Sequence, residues 1–165
     1  MSSTAGAITI RPVERSDLAA VADMIARLAD HVRPGFTPGA DEASLARYGP
    51  TGLGLFEAVI ATREDVPVGM CLYTYAFSGW RGRPGVFVED LYVADAARGT
   101  GLGRALLAAV IAREAPRGCC FLKLQVDKSN AAAHAFYDRL GFAPEAHDDT
   151  LLLEEDGLRA IVGGE

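Results

Sequence analysis

Apolar residues recur along this chain with two different periods, and the switch between them marks out alternating strands and helices. Leu18, Val21, Ala22, Ile25, Leu28 and Ala29 fall at helical spacing, so they share one buried stripe of a helix. Ser16 offers an N-cap with Asp17 in the first turn, and the stripe ends near His31 ahead of Pro34-Gly35. Before it, Ile8 to Arg11 reads as a short strand closed by Pro12. After it, Phe36 to Leu53 is rich in Gly and Pro, with one short helical stretch around Asp41 to Arg47; it reads as a mobile connection of the kind that shapes a substrate mouth.

Leu55 to Thr62 and Val68 to Phe77 are strand-like runs joined through Arg63-Glu64-Asp65, a hairpin, and Trp80 to Gly85 turns the chain into a third run, Val86 to Val93. Leu102, Ala105, Leu106, Ala109 and Val110 return to helical spacing until Pro116-Arg117-Gly118 breaks it. A strand from Cys120 to Val126, a helix from Asn130 to Leu140 ended by Gly141, and a last strand near Thr150 to Leu153 complete the reading. The early strands form an antiparallel meander. The strand, helix, strand crossover from Val86 to Val126 requires parallel pairing with a right-handed connection. The predicted fold class is therefore α/β (α+β), a mixed central sheet flanked by about four helices.

With 165 residues, half of them apolar, the chain is expected to form one domain over residues 1–165. No apolar run is long enough to cross a bilayer and the first residues carry no targeting pattern, so a cytoplasmic protein without a membrane partner is expected. The net charge of −6 gathers in the last segment, where Glu145, Asp148, Asp149, Glu154, Glu155, Asp156 and Glu165 face Arg159. No Lys/Arg run accompanies it, which excludes a nucleic-acid footprint. Such an acidic end either attracts cationic small molecules or serves solubility. Three cysteines without a Cys-x-x-Cys pair offer neither a disulfide framework nor a zinc site, and no metal is expected.

The chemistry concentrates in Val93-Ala94-Asp95-Ala96-Ala97-Arg98-Gly99-Thr100-Gly101-Leu102-Gly103-Arg104, which reads as strand, glycine turn, helix. Backbone N–H groups crowd inward there at the positive end of a helix dipole, a setting for phosphates. The dinucleotide fingerprint would need glycine where Arg104 stands, and the Gly-Lys-Ser/Thr ending of NTPase loops is missing. What remains is Arg98-x-x-Gly101-x-Gly103, followed at a distance by Asn130 and Tyr137.

Together these two motifs resemble the GCN5-related N-acetyltransferases, over about Ile8 to Leu153. The resemblance implies acetyl-CoA as co-substrate, with its diphosphate on the amides of Arg98, Gly99, Thr100, Gly101, Leu102, Gly103 and Arg104. Its pantetheine arm would lie along Leu91, Tyr92 and Val93 like an added strand. Arg98 and Arg104 either add charge-assisted contacts or stay solvated. By its matching position Asn130 anchors the start of its helix and contacts the cofactor arm, and Tyr137 protonates the departing thiolate. Asn130 and Tyr137 stand two turns apart, on one helix face.

Glu89 and Asp90 interrupt an otherwise apolar strand, where charges seldom sit idly. Alternation sends the two to opposite faces unless a bulge intervenes. Glu89 is the candidate base and Asp90 a neighbouring substrate or structural contact, with a structural ion pair as the alternative for either. Gly85 to Val93, preceded by Tyr73-Thr74-Tyr75 and Trp80, is similar to the branch holding diamine, spermidine/spermine and thialysine N-acetyltransferases. In that branch the glutamate matching Glu89 lies by the acceptor nitrogen, and an acidic pair matching Asp148-Asp149 adds Asp149 as a substrate contact. The aromatic partners of that pair are missing here, so the expected acceptor is a primary amine of a small molecule: a diamine, polyamine, amino acid or similar. A protein or peptide amine, or a non-catalytic acyl-CoA-binding module, are the alternatives. A homodimer is implied by the family.

Overall fold

The computed structural model describes residues 6–145, 150–155, 158–159 and 161. The chain divides into two compact units, Met1–Ala131 and Ala132–Glu165. The first holds β1 (Ile8–Pro12), α1 (Leu18–Val32), α2 (Glu42–Tyr48), β2 (Glu57–Arg63), β3 (Val66–Ser78), β4 (Arg83–Val93), α3 (Leu102–Glu114) and β5 (Leu122–Leu124). Its five-stranded sheet runs in chain order, β1-β2-β3-β4-β5. The first four strands pair antiparallel, and β4 pairs β5 in parallel through the α3 crossover. The mixed sheet is the one the sequence predicted.

Period-two alternation divides the core between the two faces of this sheet. On one face Ile60, Met70, Leu72 and Tyr92 pack with Leu18, Val21, Met24 and Ile25 of α1 and Leu45 of α2. On the other, Val59, Ala61, Cys71, Tyr73, Val86 and Val88 are buried, as is the stripe Leu102, Leu106, Val110 and Glu114 of α3. The β2–β3 hairpin closes on Glu64 and Asp65, both left-handed at φ 50° and 62°, so the link is a two-residue turn rather than the three-residue one predicted.

Three expectations are corrected. A 3-10 turn, Arg15–Asp17, precedes α1, so Asp17 and not Ser16 stands at the helix boundary, without a side-chain cap bond to α1. Instead it closes the capping box of that turn, accepting from the Glu14 N–H at 2.8 Å, and accepts from both Nη atoms of Arg11 at 2.6 and 2.9 Å. The longer carboxylate satisfies backbone and guanidinium together, which a serine hydroxyl cannot do. Strand β5 spans only Leu122–Leu124, not Cys120 to Val126, because its ladder with β4 stops at Val88. Thr150 to Leu153 forms no strand among the described residues; Leu151 and Leu152 are exposed there. An apolar run marks a wish to be buried, whereas a strand exists only with a ladder partner.

The second unit begins within α4 (Ala131–Arg139), which ends before Gly141 at φ 89°. No helix among the described residues is long and apolar enough to cross a membrane.

Candidate active site

After β4 a single turn of 3-10 helix, Asp95–Ala97, delivers the chain into the glycine turn. Gly99 and Gly101 take φ of 75° and 84°, conformations that side-chain-bearing residues resist. Gly101 is the N-cap of α3, and the first helical hydrogen bond runs from the Ala105 N–H to its carbonyl at 3.0 Å. The N–H groups of Leu102, Gly103 and Arg104 therefore belong to the first turn, which has no carbonyl of its own helix to meet. Thr100 Oγ1 donates to the Ala97 carbonyl at 2.7 Å and steadies the turn. This is an anion cradle in form. Arg98 is committed locally: Nε donates to the Val93 carbonyl at 3.2 Å and Nη1 meets Asp95 at 3.0 Å. Arg104 is exposed on the first turn of α3.

The strand leading into this turn has one edge spoken for and one open. Ala94 N–H donates to the Val68 carbonyl at 2.9 Å, and Tyr92 stands opposite Met70. In an antiparallel ladder the hydrogen-bonded pairs alternate, so the backbone groups of Leu91 and Val93 turn away from β3. They face the side where β5 has already left the sheet, its pairing confined to Val86–Val88. Tyr92 is placed differently, with its backbone toward β3 and its ring in the α1-side core.

The bulge that would bring the acidic pair together is present. Leu72 pairs with Asp90 and Tyr73 with Val88, leaving Glu89 as the extra residue. Asp90 thus shares the α1-side face of Leu72. Glu89 reaches the same face, where its Oε1 accepts from Thr74 Oγ1 at 3.0 Å. Burial, and then the charge of Glu89, raise the Asp90 carboxyl above its ordinary value. No hydrogen bond reaches that carboxylate among the described residues. Two adjacent acids on one face, one exposed and one half-buried, suit the capture and deprotonation of an ammonium group. Cys71, paired with Leu91 and buried on the opposite, α3-side face, has its thiol pushed up to about 12, chiefly by burial. It stays protonated and is no nucleophile.

Behind the bulge, on the α3 side, lies a polar cluster the sequence reading missed. Tyr73 Oη donates to Glu114 Oε1 at 2.6 Å, and Arg117 Nη1 donates to the other carboxylate oxygen at 2.8 Å. Arg113 bridges Glu114 at 3.5 Å and Glu57 at 3.0 Å. Burial, then the bond to Glu114, push the Tyr73 phenol well above its ordinary value, so it remains a donor. The signal was in the chain: Glu114 continues the i, i+4 series Leu102, Leu106, Val110 and so falls on the buried stripe. A pocket of about 330 Å³ opens elsewhere, between α1 and the ends of β3 and β4, against Asp23, Arg27, Pro67 and Tyr92; neither Glu89 nor the glycine turn lines it.

Asn130 stands immediately before α4, its N–H donating to the Asp127 carbonyl at 3.0 Å. Tyr137 lies two turns on, half-buried, its ring edge-on to Phe136 at 5.0 Å and to Phe142 at 5.3 Å. Asp149 lies outside the described residues.

A family model described as Acetyltransferase (GNAT) family matches residues 25–142. Thialysine N-epsilon-acetyltransferase of Mus musculus is 29% identical over 165 residues, covering 93% of this chain and 96% of the mouse protein. The Bos taurus protein of the same name is 27% identical over 142 residues, covering 81% and 83%. Among solved structures, an integron cassette protein from the mobile metagenome of V. cholerae superposes with a TM-score of 0.76 at 21% identity, covering 94% of this chain and 97% of the other. That likeness shows a shared fold.

Proposed function

Because the chain belongs to the GNAT acetyltransferase family and is an acyl-CoA-dependent N-acetyltransferase, we propose that it moves an acetyl group from acetyl-CoA to a primary amine of a small molecule such as a diamine, polyamine or amino acid. The whole chain is taken as the one catalytic domain. The observation that carries this reading is the break in β4. At Glu89 the strand bulges, its parallel partner departs, and the backbone of Leu91 and Val93 opens toward that side just before the glycine turn.

In this reading the amides of Arg98 to Arg104 hold the coenzyme diphosphate and Asn130 contacts its arm. The pantetheine amides pair with the outward groups of Leu91 and Val93 as an added strand, and Arg98 gives up the Val93 carbonyl to bond a phosphate oxygen instead. Asp90 attracts the cationic acceptor, a role Asp149 shares. Glu89 removes the ammonium proton, directly or through a water. The neutral nitrogen attacks the thioester carbon, and the C–S bond breaks as the tetrahedral adduct collapses. CoA leaves as a thiolate of ordinary pKa about 8.5 and takes a proton from the Tyr137 phenol, a group that ordinarily ionises only at about pH 10, and the second proton shed by the nitrogen as the amide forms restores that phenol.

Thiol release from acetyl-CoA, measured over a panel of small amines and a panel of peptides, tests the assignment. Release driven by small amines supports it, release driven only by peptides overturns the acceptor class, and none with either overturns the donor. Glu89→Gln is expected to lower kcat strongly with every amine acceptor, and unchanged turnover removes Glu89 from the chemistry.

A further inference from the structure

A β-bulge needs something to hold it, because a strand is free to pair without the extra residue. In the unbulged register Tyr73 would face Glu89, and the residues of β4 before it would shift by one. A one-residue slip exchanges the faces of every side chain involved. Glu89 would then point to the α3 side, and Val88 and Val86, now 3% and 1% exposed on that side, would point to the other.

The α3 side is built to refuse that arrangement. Tyr73 is fully buried there, anchored by its 2.6 Å bond to a Glu114 that is itself 1% exposed. The carboxylates of Glu114 and Glu57 already occupy Arg113 and Arg117. Arg117 also stacks over the Tyr75 ring at 5.3 Å. Although Arg113 Nε is a buried donor without a hydrogen-bond partner among the described residues, a third carboxylate entering this face would leave three anions against the two guanidiniums of Arg113 and Arg117, so an apolar residue, Val88, takes the place opposite Tyr73.

We propose that Tyr73 and Glu114 are positioning residues: their bond fixes the register at which β4 bulges, and thereby sends Glu89 to the face where Thr74 and Asp90 stand. Their action on catalysis passes through Glu89, so this inference rests on the reading of Glu89 as the base. It also gives α3 two jobs, since its N-terminus frames the glycine turn while its last residue locks the bulge.

The experiment is a double-mutant cycle on the full chain, with kcat and both KM values measured well below the melting temperature. Tyr73→Phe keeps the ring and removes only the donor. It is expected to lower kcat roughly tenfold and to leave the KM for acetyl-CoA within about twofold. Added to Glu89→Gln it is expected to do nothing more. An unchanged kcat, or a loss that multiplies on top of Glu89→Gln, overturns the proposal, because a merely structural role would act independently of Glu89. Glu114→Gln serves as the second variant if Tyr73→Phe does not fold. Should Glu89→Gln itself leave kcat untouched, the base assignment falls. The register claim is then read separately from cross-strand backbone NOEs: loss of the Tyr73–Val88 contact in either variant upholds the lock, and its retention in both refutes it.

Discussion

Replacing Asp90 by Asn sets stability against substrate capture at one atom. The carboxylate is half-buried, no hydrogen bond reaches it among the described residues, and Glu89 is the charged group that acts on it. An unsatisfied buried polar group costs roughly 1–3 kcal/mol. Asp90 is incompletely buried and Asn keeps a polar end, so removal of the charge is expected to return about 1 kcal/mol. In a chain of 165 residues that is a rise in melting temperature of about 2–4 °C near pH 7. The sign fixes a pH window. Because the folded carboxyl is raised, the unfolded chain ionises first as pH increases, and the natural protein loses stability from about pH 4 up to the folded value. Below about pH 4 the carboxyl is protonated in both states and the advantage of Asn vanishes. Melting curves from pH 3.5 to 8 read this directly, and the same variant is expected to raise the KM for a cationic amine severalfold. Parallel curves for the two proteins at every pH, or a variant less stable at pH 7, would refute the claim that an uncompensated charge sits at Asp90.

Three further outcomes are expected. Tyr137→Phe should lower kcat about a hundredfold while coenzyme A affinity, measured by calorimetry, stays within about twofold; unchanged turnover removes the phenol from the mechanism. Gly101→Ala places a side chain at φ 84° with nothing within 4 Å of the new Cβ, so the cost is conformational alone, about 1–2 kcal/mol. It should lower the melting temperature by a few degrees and weaken coenzyme A binding, and unaltered binding would exclude the turn as the diphosphate site. Asp17 is held below the ordinary carboxylate range, first by the Arg11 hydrogen bond, so its contribution is present above about pH 4 and lost as pH falls through the folded value. Asp17→Asn should cost about 1 kcal/mol at pH 7, discounted for the exposure of Arg11, and converge with the natural protein in acid; a gap constant with pH contradicts this.

Much of the fold was legible because local periodicity reports which face of an element is buried. The stripe from Leu18 to Ala29, the long hairpin and the α3 crossover all came from spacing, and the crossover length required parallel pairing of β4 with β5. The glycine turn was readable for the same local reason, since left-handed backbone at Gly99 and Gly101 is a property of single residues. Misreadings arose where the deciding partner was distant in sequence. Whether Thr150 to Leu153 is a strand, and how far β5 extends, depends on what lies alongside, which no window of residues contains.

The acidic pair shows the division most sharply. Residue types alone placed two carboxylates in an apolar strand and left their faces undecided between alternation and a bulge. The tertiary structure settles it, because Tyr73, anchored to Glu114 of α3 on the face opposite Glu89, takes Val88 as its neighbour and leaves Glu89 over. A register is a choice among pairings that differ by one step and share the same local preferences. Only side chains packed from the far side of the sheet, charged ones above all, make one of those pairings cheaper than the rest.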